Sequence, residues 1–354
     1  MLVLSVGLPG TFTDWGDSVI AALIGRSFGA PKLIAANKLD DIAEAIIVSE
    51  TENLVVSIRQ PDARLRRALL ASAKPMIVFL DDPVRSALSL IVNHMHSVVA
   101  AVRSISGCCV TLMDFGTIES ALVLHPGRDS ADPPGTVRKL ADYLGLQISD
   151  DDIAEIIAEC VHTEPEEYRG EAASGGLRAT FDALSERDRA ILEETLGTYA
   201  DAFAGKGFNK LIWPRDLFNI ADSPTEAAMR DIDIAGRARC LVFGPYMQVF
   251  AGNWKARMVL GFSTETVGMP FIVDVGTSVR IAHTTITPDA AGVYEVNLEF
   301  TIEDPDHPVE IRVWSERPAF EGHIALGFVS LIPGPVLVPQ AASVEAYLAG
   351  RLSA

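Results

Sequence analysis

The chain is predicted to combine two architectures: a P-loop-like α/β first half on a parallel sheet, and an all-β second half, a sandwich of jelly-roll type. Three observations carry this. Short apolar runs alternate with helix-patterned segments as far as residue 113. A block of helices follows, to about residue 205. From residue 232, strands of period two are separated by turn clusters such as "TPDAAG" and "EDPDHP".

"MLVLSVG" is a candidate buried strand with little polar alternation, and residues 16–26 form a helix after it. "NLVVSI" (53–58) is a second strand, and "PDARLRRALLASA" (61–73) a helix with Pro61 at its first position. "PMIVFL" (75–80) is a third strand, residues 84–105 one long helix, and "CCVTLM" (108–113) a fourth strand. "PPGTVRKLADYLGL" (133–146) has prolines at its start and a glycine near its end. Ser149 with Asp152, and Ser185 with Asp188, form capping-box patterns at the next two helix starts. Residues 163–177 read as a polar loop between them.

The expected division is an α/β domain over 1–205, a linker over 206–231, a β-sandwich over 232–335 and a tail or helix over 336–354. In "YEVNLEFTI" (294–302), Tyr294, Val296, Leu298, Phe300 and Ile302 face one way, with polar residues opposite. "WKARMVLGF" (254–262) alternates similarly, and "VEIRVW" (309–314) and "IALGFVSLI" (324–332) complete the set.

Of 354 residues, 49% are hydrophobic and 21% charged, as in a globular protein. A formal net charge of −18 argues against non-specific binding of nucleic acid or anionic lipid, which needs a basic surface. The basic cluster "DARLRR" (62–67) reads as a solvated helix face. No apolar run is long enough to span a membrane, and the N-terminus reads as a first strand rather than a signal peptide. Cys108, Cys109, Cys160 and Cys240 lack metal-ligand spacing. The adjacent pair looks like buried thiols, so a reducing, cytoplasmic setting is expected, with no metal.

"GLPGTFTDW" (7–15) lies between a strand and a helix, the layout of a phosphate cradle. The first half resembles the sulfotransferases that use 3′-phosphoadenosine 5′-phosphosulfate (PAPS). Three segments carry the resemblance. The family's cradle is approximately G-x-P-[RK]-S-G-T-T-W. Gly7, Pro9, Thr13 and Trp15 fall on matching positions, Gly10 on the basic one, Thr11 on the serine, Phe12 on the glycine and Asp14 on a threonine. The family's 3′-phosphate motif, approximately R-x-P-x-x-x-x-x-S, meets "DDPVRSALS" (81–89). There Pro83 and Ser89 match and Asp81 replaces the arginine. The third is "PPGTVRKLADYLGLQISDDDIAEII", like the family's structural helix-loop-helix.

The resemblance implies a cation in the cradle and an arginine on the 3′-phosphate. Neither is present, and Asp14 and Asp81 bring carboxylates instead. Two like charges about 4 Å apart, at an effective dielectric of about 20, repel by about 4 kcal/mol. Helix N–H groups supply only partial charge. The chain is therefore expected to have lost donor binding, with no cofactor, and to act as a binding or accessory protein rather than an enzyme. The alternative is an active transferase, using PAPS, with a remodelled anion site drawing on Arg85, Lys32 or Arg59. Arg85 could reach back to Asp81 as a surface pair, and Ser89 could still contact a ligand or serve as a cap. His94 and His96, read as mid-helix, have core or surface roles. Asp81 and Asp82 end a strand, where a magnesium ion could sit. A helix N-cap is the preferred reading.

The second half resembles a module at the C-terminus of bacterial glycosyltransferases and methyltransferases linked to surface polysaccharides. "GPY…G-W" and "EIRVWS…G-IALGFVSL" carry the likeness. This implies a carbohydrate ligand, with Tyr246, Trp254 and Trp314 as stacking candidates beside Asn253 and Gln248. Core packing competes for both tryptophans. A third reading is a structural protein that self-associates through the sandwich, for which the mean hydropathy of +0.24 is a hint.

Overall fold

The structure of the protein, a computed structural model, describes residues 1–48, 53–72, 74–160 and 175–334. The expected loop over 163–177, apart from its last three residues, and the expected tail over 336–354 lie outside them.

Along the first half run β1 (Leu2–Gly7), α1 (Thr11–Phe28), β2 (Lys32–Ala35), α2 (Leu39–Val48), β3 (Leu54–Ile58), α3 (Ala63–Ser72), β4 (Ile77–Phe79), α4 (Pro83–His94), α5 (Val98–Phe115) and β5 (Leu122–Leu124). The strands form one parallel sheet, in the order β2-β3-β1-β4-β5. β1 is central and carries Val3, Leu4 and Val6 into the core. Gly16 lets α1 lie close on the sheet, since a Cβ there would meet the Phe79 ring at 2.2 Å. The helices α6 (Pro126–Asp129), α7 (Pro133–Leu144), α8 (Asp150–Cys160), α9 (Gly175–Ala183) and α10 (Glu186–Phe203) follow. The expected caps are made: Ser149 Oγ accepts from Asp152 N at 3.1 Å and Ser185 Oγ from Asp188 N at 3.1 Å.

Four expectations need correction. "CCVTLM" is part of α5, not a strand; a short run buried on all sides does not reveal its period. The fourth sequence-order strand of the expected sheet is instead Leu122–Leu124, and Lys32–Ala35 is an additional edge strand. The single long helix over 84–105 is two. Met95 takes a left-handed φ of 53° and Ser97 caps α5, accepting from Ala100 N. His94 thus ends α4 and His96 lies in the break, both exposed. Pro61 precedes α3, which is capped by Asp62 through Leu65 N at 2.7 Å. Helix α5 also has the length and apolarity to cross a membrane, contrary to the sequence expectation, but it is mostly buried within the fold. Burial pushes its Cys108 thiol up to about 12 and the Cys109 thiol well above its ordinary range.

The second half contains β6 (Leu211–Pro214), β7 (Asn219–Ile220), β8 (Ser223–Ala227), β9 (Ile232–Asp233), β10 (Cys240–Met247), β11 (Gly252–Phe262), β12 (Phe271–Gly276), β13 (Arg280–Ile286), β14 (Gly292–Ile302), β15 (Val309–Ser315) and β16 (His323–Pro333). They form two antiparallel sheets, one ordered β13-β12-β15-β10-β7-β8 and the other β14-β11-β16-β6, with β9 also on β16. The alternation read in 294–302 holds: Val296, Leu298, Phe300 and Ile302 are buried and the residues between them exposed. The outer face of the β14-β11 pair is polar, with Arg257 bonded to Glu295 at 2.5 Å.

The segment expected as a linker, 206–231, supplies strands to both sheets. Its apolar side chains explain this: Leu211, Trp213 and Leu217 are fully buried. The two halves share one continuous core. Tyr199 of α10 meets Phe208 and Phe250 edge-on at 5.5 and 5.9 Å, and Phe208 meets Trp254 at 6.1 Å. "DARLRR" is also not wholly solvated, because Arg66 is 5% exposed and pairs with Asp114 of α5 and Asp306 of the β14–β15 turn.

Trp213→Ala should therefore destabilise the whole chain, by about 3–5 kcal/mol. Denaturant unfolding checks this. A cost below about 1 kcal/mol would mean that the segment is a dispensable linker.

Candidate functional site

The cradle forms where the sequence places it. Strands β1, β3 and β4 run parallel, so the residues after each gather at the carboxyl edge of the sheet, where α/β folds take ligands. The loop Leu8–Pro9–Gly10 leads into α1. Gly7 is required by close approach, because a Cβ would lie 2.4 Å from Thr13 Cγ2. Thr13 and Trp15 are buried in the first turn of α1, and Trp15 stacks on Phe12 with centroids 5.9 Å apart. Pro9 and Thr11 are half-buried.

Asp81 occupies this corner. It is 2% exposed, and its Oδ2 accepts from Phe12 N at 3.3 Å while its Oδ1 accepts from Asp82 N at 2.7 Å. A Cβ on Gly10 would lie 2.4 Å from Asp81 Oδ2 and 3.2 Å from Ser86 Oγ, so the carboxylate fills the space beside the loop. Ser86 Oγ beside it, and Thr13 Oγ1 beside Gly7, are buried with no hydrogen-bond partner. Asp82 is the N-cap of α4, accepting from Arg85 N at 2.9 Å, as the cap reading of this pair expects.

The nearby cation is Arg59, just after β3. Its Nη2 lies 3.1 Å from Asp14 Oδ1 and 2.6 Å from Asp17 Oδ2, and Ser5 Oγ donates to the other oxygen of Asp17. Asp17 is a site residue that the sequence reading missed. Its signal was its position one turn after Asp14 on the face toward the sheet. Of the other cations considered, Lys32 opens β2 in register with Leu54, at the amino edge of the sheet and away from the cradle. Arg85 is exposed on the first turn of α4. Ser89, a turn further on, is half-buried and accepts from Asn93 Nδ2 at 3.0 Å.

A second surface is the outer face of the six-stranded sheet. On β15, Glu310, Arg312 and Trp314 alternate with the buried Val309, Ile311 and Val313. Tyr246 sits in a register shift of β10 with φ at 61°, a bulge that turns its side chain outward; it is 40% exposed. Its hydroxyl donates to Glu310 Oε1 at 2.7 Å and its ring meets Phe243 at 6.0 Å. Arg312 lies 5.7 Å from the Trp314 ring and pairs with the buried Asp274. The Trp314 indole N–H has no partner. Trp254 must be withdrawn as a sugar contact. It is 3% exposed, faces the inter-sheet core from β11, and donates to Phe250 O at 2.9 Å.

A parallel α/β sheet with this loop after its central strand is joined to an antiparallel β-sandwich. No family model matches the sequence, and no curated protein does. Solved structures similar to parts of the chain include a mouse sulfotransferase complexed with PAP. It is 13% identical with a TM-score of 0.35, over 47% of this chain and 64% of that one, less than two thirds of its length. A retinol dehydratase in complex with androsterone and inactive cofactor PAP is 13% identical with a TM-score of 0.36, over 54% and 78%. The carbohydrate-binding module TmCBM61, complexed with β-1,4-galactotriose, is 7% identical with a TM-score of 0.24, over 35% and 88%. Each likeness is partial and concerns the fold alone.

Burial, together with the bond to Glu310, pushes the Tyr246 hydroxyl up to about 12. The fold favours the neutral phenol, so its contribution is intact below the ordinary value of 10.0 and is lost as pH rises through about 12. In a tyrosinate absorbance titration, Glu310→Gln should move one high-titrating tyrosine down toward 10.0 but not to it, because burial, the larger cause, remains. Identical curves would mean that the Tyr246–Glu310 bond has no influence on the phenol.

Proposed function

We propose that this chain is a sulfotransferase-like protein that has lost donor binding and serves as a carbohydrate-binding accessory protein, in surface polysaccharide assembly. The observation that carries this is the buried Asp81 carboxylate at the N-terminus of α1. Helix N–H groups in such a cradle attract an anion, and here one is supplied by the chain itself. A nucleotide phosphate entering the corner would have to displace a carboxylate from Phe12 N, or lie beside it. At about 4 Å and an effective dielectric of about 20, that repulsion costs about 4 kcal/mol. Arg59 does not offset it, because Asp14 and Asp17 already hold its Nη2. The residues present therefore do not fit a polyanionic donor such as PAPS, and no sulfuryl transfer is derived for them.

The carbohydrate half of the proposal rests on the outer sheet face. A sugar ring stacks through its C–H groups on an aromatic face while charged and amide groups take its hydroxyls. Tyr246, Phe243 and Trp314 supply rings on one face, with Glu310 and Arg312 between them. One observation favours a second reading, a transferase with a remodelled anion site: Arg59 Nη1 is buried without a partner close to the cradle.

Thermal unfolding with 3′-phosphoadenosine 5′-phosphate separates the two. A ligand at 100 times its Kd would stabilise the fold by about 2.7 kcal/mol. No dose-dependent rise in Tm is expected here, and a saturable rise would establish the remodelled-site reading instead. Asp81→Asn should still bind no nucleotide and should lose about 1 kcal/mol as the helix loses a charged partner. In affinity electrophoresis through polysaccharide gels, the chain should be retarded and Trp314→Ala should not. Equal mobility of the two in every gel would remove the outer face as the sugar site.

A further inference from the structure

Where the halves meet, between α3, α5 and two turns of the sandwich, lies a cavity of about 220 Å³. It opens beside Gln60, just beyond the carboxyl end of β3. Its polar wall comprises Arg66, Arg103, Ser104, Thr111, Gln248 and Asp306, with Pro61 and Ala63 as the apolar side. Gly107 permits the close approach of α5, since a Cβ there would meet Gln248 Oε1 at 2.2 Å.

The two arginines differ. Arg66 is 5% exposed, and its Nη groups bond Asp114 and Asp306, yet its Nε is buried with no partner. Arg103 is half-buried, and its Nε and Nη2 donate to Pro245 O at 2.7 Å and Leu217 O at 3.0 Å. Among the described residues no carboxylate pairs with Arg103, and burial lowers its pKa. A guanidinium partly withdrawn from water, held by carbonyl dipoles and by the Tyr246 ring 6.0 Å from its Cζ, lacks the counter-ion that usually accompanies such a charge.

We propose that the seam cavity binds a monoanionic, hydroxylated ligand the size of one sugar ring, a sugar acid, with its carboxylate on Arg103 and the free Nε of Arg66. The charge on the wall selects the anion. Arg66, Arg67 and Arg103 stand against two aspartates, Asp114 and Asp306, so a single negative charge balances the cluster. A phosphate dianion would add a second charge against Asp306. The amide N–H groups of Gln60 and Gln248 go to Ser104 Oγ and Asp306 O, so their carbonyl oxygens accept from ligand hydroxyls. The volume suits a substituted ring, since a cavity of about 150 Å³ holds benzene. This inference does not rest on the proposed function: it does not involve the cradle, and it meets the outer sheet face only where Arg103 lies over the Tyr246 ring.

Calorimetric titration of the full chain with glucuronate, glucose and glucose 6-phosphate at constant ionic strength tests it. Glucuronate should saturate and bind about tenfold or more tighter than either of the others. Arg103→Gln should weaken it by about the same factor, and Trp314→Ala should leave it unchanged. Because Arg103 also ties α5 to the sandwich, Ala63→Trp serves as a second variant that fills the cavity and should abolish binding. The proposal is overturned if glucuronate shows no saturation up to the order of 10 mM, if glucose or the phosphate binds as well, or if folded Ala63→Trp binds unchanged.

Discussion

A carboxylate buried at a helix N-terminus governs the carboxyl edge of the sheet. Asp81 accepts from Phe12 N at the start of α1 and from Asp82 N at the start of α4. It thereby joins the loops after β1 and β4, the two loops that an α/β fold ordinarily leaves open for a ligand. Burying a charge is costly unless hydrogen bonds meet it, and the backbone donors that meet this one are those a bound phosphate would use. Gly10 is compatible with this, since any larger residue would collide with the carboxylate.

The same economy of buried charge marks the seam. Arg66 holds α3, α5 and the β14–β15 turn together through two aspartates. Arg103 reaches from α5 to carbonyls of Leu217 and Pro245. With the aromatic contacts of Tyr199, Phe208, Phe250 and Trp254, these tie the two halves together around the seam cavity.

Much of this was legible in the sequence. Apolar runs without alternation marked β1, β3 and β4, and strict alternation marked β11 and β14, because burial on two faces or one leaves those patterns. The loop after β1 was legible through its glycines, and the acidic residue at its corner through Asp81. What misled was context. "CCVTLM" has strand-like content but lies in the buried part of a helix. Segment 206–231 has the prolines and polar residues of a linker, yet Trp213 and Leu217 bury completely against elements far away in sequence. Arg66 follows Leu65 on the apolar side of α3, and only the tertiary partner Asp306 explains its burial. Trp254 and Trp314 both stand in alternating strands. The phase of each strand relative to its sheet, which a single sequence does not reveal, sends one inward and the other outward.

Strand β6 precedes the stretch that looks like the sandwich, but it completes the edge of one of its sheets beside β16. The sandwich is therefore no detachable cassette. Recombination that moved it to another protein from residue 232 onward would leave the Phe328–Leu331 edge of β16 bare, a template for pairing with foreign chains. A successful transfer would have to carry Leu211 onward and find a new plug for the space that Tyr199 fills.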